Sequence, residues 1–171
     1  MTYKMNEKKK YTLITGASSG IGRTIAKGLS LHYNLILNGR NSETLEKTRN
    51  ECSINNDHKI LVYDLINITN LEENLSNFIE TSNIEIDRFV HCAGYLKMVP
   101  LKSLSLEAIA ATLSVNLISA TLIIKTLTNR RFNNAALSSV VLISSNISNF
   151  GSKAFNIYGA SKAGLDGMMR N

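Results

Sequence analysis

Hydrophobic residues group in two ways along this chain of 171 residues, as short continuous runs and as longer stretches with apolar positions three or four apart, and the two kinds alternate. The runs predict strands at Tyr11 to Ile14, Asn34 to Asn38, Lys59 to Tyr63, Asp87 to Val90 and Ser139 to Ile143. The spaced stretches predict helices. The first starts at Gly20 and carries Ile25, Ala26 and Leu29; the second has Asn41 or Ser42 as N-cap and runs through Leu45 and Thr48 to about Cys52. A third, capped by Asn67 or Thr69, carries Leu71, Leu75, Phe78 and Ile79. A long helix covers Ser105 to Leu127 and a last one begins near Asn156, so that five strands and five helices account for the chain. The run at Ser139 to Ile143 is apolar enough to expect cover on both faces. On the long helix Leu106, Ile109, Leu113, Leu117, Ala120, Ile124 and Leu127 form the expected sheet-facing stripe, with Ala110, Leu122 and Ile123 off it.

Strands alternating with helices, without repeats or an internal linker, predict one α/β domain over residues 1–171 built on a parallel sheet. Right-handed crossovers, together with a glycine-rich turn after the first strand, give a Rossmann-like doubly wound parallel sheet in the order 3-2-1-4-5. A ligand crevice then falls between the first and fourth strands.

That glycine-rich turn is Thr15 to Gly22, TGASSGIG. A strand ends, the chain turns, and a helix begins, which aims the free N–H groups of the first helical turn and the positive end of the helix dipole at one point above the sheet. A Cβ at Gly16 or Gly20 would resist positive φ or hold a pyrophosphate away from the backbone, and one at Gly22 would push the helix off the strand. The spacing is that of a dinucleotide-binding turn, TGxxxGxG. After the second strand, Gly39 stands where a carboxylate would hold a free ribose 2′-hydroxyl, and Arg40 follows it. A guanidinium suits a 2′-phosphate, so NADP is the expected cofactor and NAD the less favoured one. Asp64, after the third strand, is placed either to accept from an adenine amino group or to cap its own turn.

Ser145 ends the fifth strand, and Tyr158 and Lys162 follow one helical turn apart on one helix face. An ammonium beside a phenol favours the phenolate, which would bring a weak acid toward the range of a general acid or base. Ser145 can then hydrogen-bond a substrate oxygen.

TGASSGIG, Asp64-Leu65, the Ala93-Gly94 turn, Asn116 in the long helix, and Ser145 with YGASK at Tyr158 to Lys162 resemble the short-chain dehydrogenase/reductase family, from about Tyr11 to the last residue. The resemblance implies an oxidoreductase that moves a hydride between nicotinamide and a carbonyl or secondary alcohol, a carbonyl reductase in one direction. The alternative is a truncated, non-catalytic cofactor-binding or interaction module. Asn116, Ser145, Tyr158 and Lys162 are implied as the catalytic set. Tyr158 would be the acid or base, Lys162 would also bond the nicotinamide ribose, Ser145 would orient the substrate oxygen, and Asn116 would hold a water linking Lys162 to solvent. Gly16, Ser18, Gly20, Ile21 and Gly22 would line the pyrophosphate, and Arg40, Asp64, Leu65, Ala93 and Gly94 the adenosine half. His91-Cys92 replaces the family's asparagine pair; the imidazole is expected to supply a sheet-stabilising hydrogen bond, and no metal site is expected. The family's last strands are absent from these residues, which leaves the fifth strand as an edge and the fold incomplete at its carboxyl end. The residues Gly94 to Leu101 are the remaining candidate substrate wall.

Charge and cysteine content change this picture little. Part of the net charge of +6 comes from Lys4, Lys8, Lys9 and Lys10, expected as a fraying basic tail over residues 1–10. No basic cluster interleaved with aromatics points to nucleic acid. Two cysteines without CxxC spacing, no signal peptide and no apolar run expected to span a membrane give the expectation of a cytoplasmic protein. Apolar groups on more than one face of the long helix predict self-association as a homodimer or tetramer.

Overall fold

A computed structural model describes residues 8–170. Its five strands are β1 (Lys10–Thr15), β2 (Asn34–Gly39), β3 (His58–Val62), β4 (Glu85–His91) and β5 (Ser139–Leu142). All neighbours pair in parallel in the order β3-β2-β1-β4-β5, as the crossover rule requires. The helices are α1 (Gly20–Leu29), α2 (Ser42–Asn50), α3 (Leu71–Thr81), α4 (Leu106–Leu113), α5 (Ser119–Thr128), α6 (Ile147–Phe150) and α7 (Asn156–Met168). Ser114–Ile118 joins α4 to α5 as a π turn, making one continuous helix.

Alternation along the strands sends side chains to two cores. Tyr11, Leu13, Ile36, Ile86 and Phe89 meet Leu75, Ile79, Ile123 and Leu127 from α3 and α5. Ile14, Leu35, Leu37 and Val90 meet Ala26 from α1 and Leu45 from α2 on the opposite face. The sheet is therefore covered on both sides, and its carboxyl ends all point to one rim.

Several expectations are corrected. The basic segment does not fray up to residue 10: Lys10 opens β1, the Lys9 carbonyl accepts from the Glu85 amide at 3.1 Å, and Lys9 Nζ pairs with Asp57 at 3.5 Å. Lys4 lies outside the described residues. The third helix has Asn70 as N-cap, without a side-chain capping bond, rather than Asn67 or Thr69. Asn41 caps α2, accepting from the Thr44 amide at 2.9 Å. Two short elements join those expected, a 3₁₀ turn at Leu101–Ser103 and α6. β5 is open on one face: Ser139 and Val141 are exposed and Val140 and Leu142 half-buried.

The buried stripe of the long helix is also displaced from the expected one. Ala108, Thr112, Val115, Asn116, Ala120, Ile123 and Leu127 face inward, whereas Leu106 is 75% exposed. Small residues let the helix approach closely, and the buried hydroxyls need no outside partner, because Thr112, Ser119 and Thr126 donate to the carbonyls of Ala108, Val115 and Leu122. Against the expectation of no apolar run long enough to span a membrane, Leu106–Thr128 is, by length and composition, long and apolar enough to do so. The helix packs between the sheet and α7, with 44% of its apolar window buried.

Candidate functional site

The turn from β1 to α1 follows from its glycines. Gly16 has φ 65°, and a Cβ there would stand 2.8 Å from the Ala93 backbone, so the turn can lie against the β4 loop only with glycine present. At Gly22 a Cβ would come within 2.2 Å of the Gly16 carbonyl oxygen, closing the start of α1 onto the turn. Ser19, the N-cap, makes no side-chain capping bond and the first turn holds no acidic residue. The amides there remain open to a ligand.

Above this turn lies a cavity of about 310 Å³. Gly16, Ser18, Gly20, Ile21, Gly22, Arg40, Asp64, Leu65, Ala93 and Gly94, ten of the twelve residues expected along a dinucleotide, line it, while the other two, Tyr158 and Lys162, do not. Arg40 is exposed at its rim and forms no ion pair among the described residues. Asp64 accepts the Ile66 amide at 3.1 Å through Oδ1, the turn-capping role, while its place in the lining keeps the carboxylate at the cavity. Sequence reasoning missed Ser19, Asn38, Tyr63, Cys92 and Val115 as lining residues, and Tyr95, expected in a substrate wall, lines this cavity. Asn38, Tyr63 and Cys92 sit at or next to the carboxyl end of a strand, a position that could have flagged them. An open amide turn, a glycine cradle that a Cβ would fill, and an unpaired guanidinium fit a phosphorylated dinucleotide.

At the Gly94 end, Asn116 and Lys162 come together: Asn116 Oδ1 and Lys162 Nζ stand 3.9 and 4.0 Å from where a Gly94 Cβ would be. Asn116 sits in the π turn and is fully buried. Its Oδ1 accepts the Tyr95 amide at 2.6 Å, and its Nδ2 donates to the Tyr95 carbonyl at 3.1 Å and to Ser161 Oγ at 2.9 Å. Ser161 in turn donates to the Tyr158 carbonyl at 2.7 Å, which locks α7 to the π turn. Lys162, 3% exposed, donates to the Ile143 carbonyl at 2.7 Å and lies 5.8 Å from the centre of the Tyr158 ring. Burial holds its ammonium below the usual lysine range, against the pull of Cys92 and Asp166. The Tyr158 hydroxyl makes no hydrogen bond among the described residues, and its ring packs edge-on to Phe155 at 6.2 Å. Ser145 is less closely drawn in. Its Oγ accepts the Ile147 amide at 3.3 Å, and its loop is tied to α7 by Ser144, which donates to the Lys162 carbonyl at 3.4 Å.

His91 and Cys92 separate the two halves of the site. Burial, then the Lys162 charge, lower the His91 imidazole to about 4, and it pairs through Nδ1 with Thr15 Oγ1 at 2.9 Å. That bond joins β1 to β4, the sheet-stabilising role expected of it. Burial raises the Cys92 thiol to about 11. Among the described residues no three histidine, cysteine or acidic side chains cluster as metal ligands.

The profile of the short chain dehydrogenase family matches residues 10–171. A 3-oxoacyl-[acyl-carrier-protein] reductase of Rickettsia prowazekii is 34% identical over 167 residues, 95% of this chain and 64% of the relative. The chain thus spans under two thirds of that relative's length. An alcohol dehydrogenase from the archaeon Thermococcus sibiricus, solved with 5-hydroxy-NADP, superposes with a TM-score of 0.80 at 25% identity, over 94% of this chain and 68% of the other. A short chain dehydrogenase from Burkholderia cenocepacia, solved with NADP, gives 0.80 at 23% identity, over 94% and 65%.

Proposed function

The chain belongs to the short chain dehydrogenase family, and from that premise we propose that it is an NADP-dependent oxidoreductase acting on a carbonyl or secondary alcohol. One observation carries this reading: a single crevice runs from the unpaired Arg40, past the open amides of the glycine turn, to Gly94, where Lys162 and Asn116 stand. The archaeal relative solved with 5-hydroxy-NADP supports the 2′-phosphorylated form.

Bound nicotinamide supplies the hydride acceptor or donor. The chain supplies the proton. In reduction the Tyr158 hydroxyl donates its proton to the substrate oxygen as the carbonyl carbon gains a hydride; in oxidation Tyr158, as phenolate, takes the hydroxyl proton. Lys162, 5.8 Å from the Tyr158 ring, provides the positive charge that favours the phenolate and the ammonium that bonds a ribose hydroxyl. Ser145 orients the substrate oxygen. Asn116 serves a proton relay only through its oxygen, since both of its amide hydrogens are committed to Tyr95 and Ser161. Leu96, Met98 and Leu101, exposed on the segment that follows Gly94, would supply an apolar wall for substrate, and the Rickettsia relative makes a 3-oxoacyl thioester the first substrate to screen. The chain associates as a homodimer in this reading.

Nicotinamide fluorescence titration beside a turnover screen tests the proposal. NADPH binding with turnover of a carbonyl is expected. Binding without any turnover would instead favour a cofactor-binding module, and no binding would overturn the reading altogether.

A further inference from the structure

The glycine turn is held from below by two side chains that no cofactor-binding role accounts for. Thr48 is fully buried on α2, and its hydroxyl lies 3.0 Å from the Ala17 carbonyl and 3.2 Å from the Thr44 carbonyl. Arg23 on α1 donates from Nε to Thr48 Oγ1 at 3.0 Å and from its guanidinium to the Ser18 carbonyl. With its single proton directed at Ala17, the Thr48 hydroxyl is satisfied on both sides, donating to the turn and accepting from Arg23.

A trans peptide points its C=O and N–H in opposite directions, and the described chain has no cis bonds. Fixing the Ala17 carbonyl on Thr48 therefore turns the Ser18 amide away from α2, and fixing the Ser18 carbonyl on Arg23 does the same for the Ser19 amide. Both serines line the cavity. Left free, either peptide unit could rotate and present a carbonyl oxygen to the ligand's phosphate, which would repel it.

We propose that Arg23 and Thr48 are positioning residues that preset the Ser18 and Ser19 amides toward the pyrophosphate of the cofactor, with the Arg23 cation beneath adding attraction for the same charge. The inference rests on the NADP reading above. It concerns the underside of the turn and makes no use of Arg40, so the two parts of the site are separable: Arg40 serves the 2′-phosphate, and the Arg23–Thr48 pair serves the pyrophosphate.

The test uses the full chain with two probes, NADPH followed by fluorescence and adenosine 2′-monophosphate as a competitor that lacks the pyrophosphate. Thr48→Val and Arg23→Gln should each weaken NADPH by roughly fivefold to thirtyfold while leaving adenosine 2′-monophosphate within about twofold. Thr48→Ser, which keeps the hydroxyl, should restore NADPH affinity. In turnover the same variants should raise the NADPH KM with kcat nearly unchanged. Unchanged NADPH affinity in Arg23→Gln, or an equal loss for both probes, overturns the inference. If Thr48→Val does not fold, Arg23→Gln, at a partly exposed position, decides alone. A parent chain that binds adenosine 2′-monophosphate and not NADPH also overturns it, whereas a parent that binds neither overturns the cofactor reading and this inference with it.

Discussion

A lysine stripped of water keeps its charge only where fixed acceptors replace the solvent, and Lys162 has the Ile143 carbonyl at 2.7 Å with Asp166 and Cys92 in its field. The cost of that burial makes sense if the ammonium is needed beside Tyr158. Tyr158→Phe should lower kcat by about a hundredfold or more with NADPH affinity within about twofold, because only the proton-transfer group is lost. Lys162→Ala should impair both turnover and binding. Near-parental turnover in Tyr158→Phe would show that another group carries the proton. At the opposite end of the crevice, Arg40→Asp should narrow or reverse the preference for NADPH over NADH by roughly tenfold, since a guanidinium hydrogen-bonded to phosphate is replaced by a repelling carboxylate. Equal affinities for the two cofactors in the parent would remove the basis for that role. His91 makes a prediction that needs no cofactor. Its folded value of about 4 lies below the ordinary 6.5. The unfolded chain therefore binds the proton first as pH falls, and the native state loses stability between pH 6.5 and about 4, by roughly 3 kcal/mol if the full shift is expressed. Lys162, Thr15 and the backbone of Val115 and Asn116 are the groups that act on the ring. Urea denaturation at pH 7 and pH 4.5 should show the loss, and His91→Asn should reduce the difference.

Elements were legible in the sequence where one physical signal dominated them. The five strands are apolar runs bounded by turn residues, and the glycine turn needs backbone conformations that only its own residues allow, so both could be read directly. The stripe of the long helix could not, because its largest apolar residues were expected to face inward, whereas the small or polar Ala108, Thr112 and Asn116 do so, and the helix also carries a π turn at Ser114–Ile118. There the Ser119 amide reaches back to the Ser114 carbonyl, and the Ser119 hydroxyl takes up the Val115 carbonyl that its amide has bypassed. The displacement begins upstream of this turn, at Ala108 and Thr112, and Ile123 continues the same face at spacings of three and four from Asn116 and Ala120. The candidate site divides in the same way. Its cofactor half follows from glycine and strand-end rules, while the partners of Asn116 depend on that π turn and on a contact with Ser161 across 45 residues of sequence. Asn133 is a further case, since nothing in its local sequence marks it. Fully buried after α5, it accepts the Ile86 amide at 2.9 Å and donates to the Ile86 and Leu127 carbonyls at 2.8 and 2.9 Å. Asn133→Ala should leave those groups unpaired and cost about 2 to 4 kcal/mol in equilibrium denaturation. A loss within error of zero would mean that water replaces the amide without penalty.

At the scale of the whole molecule, the helix that bears Asn116 and the helix that bears Tyr158 and Lys162 form one surface. A Cβ at Gly164 would meet Leu117 Cδ2 at 2.8 Å, so α7 lies close against the π turn, and Thr121 donates to Met168 Sδ at 3.4 Å beside it. Leu106 and Met169 are 75% and 54% exposed at opposite ends of this helix pair, and α4 adds the exposed Ala110 and half-buried Ile109 and Leu113. A two-fold contact, the commonest symmetry of soluble oligomers, would need about 800 Å² from each partner for a standard interface. Pairing through these helices would stiffen α7 from outside, on the face opposite Lys162, and so couple association to the geometry of Tyr158 and Lys162. The expected outcome is a dimer in analytical sedimentation at micromolar concentration. Ala110→Arg, at an exposed position that contributes nothing to the core, should shift it toward monomer without lowering the melting temperature of the dilute chain. If that monomer binds NADPH normally but turns substrate over more slowly, the dimer serves catalysis by holding α7. A parent chain that sediments as a monodisperse monomer while binding NADPH fully would exclude the dimer and leave the exposed Leu106 and Met169 to another role.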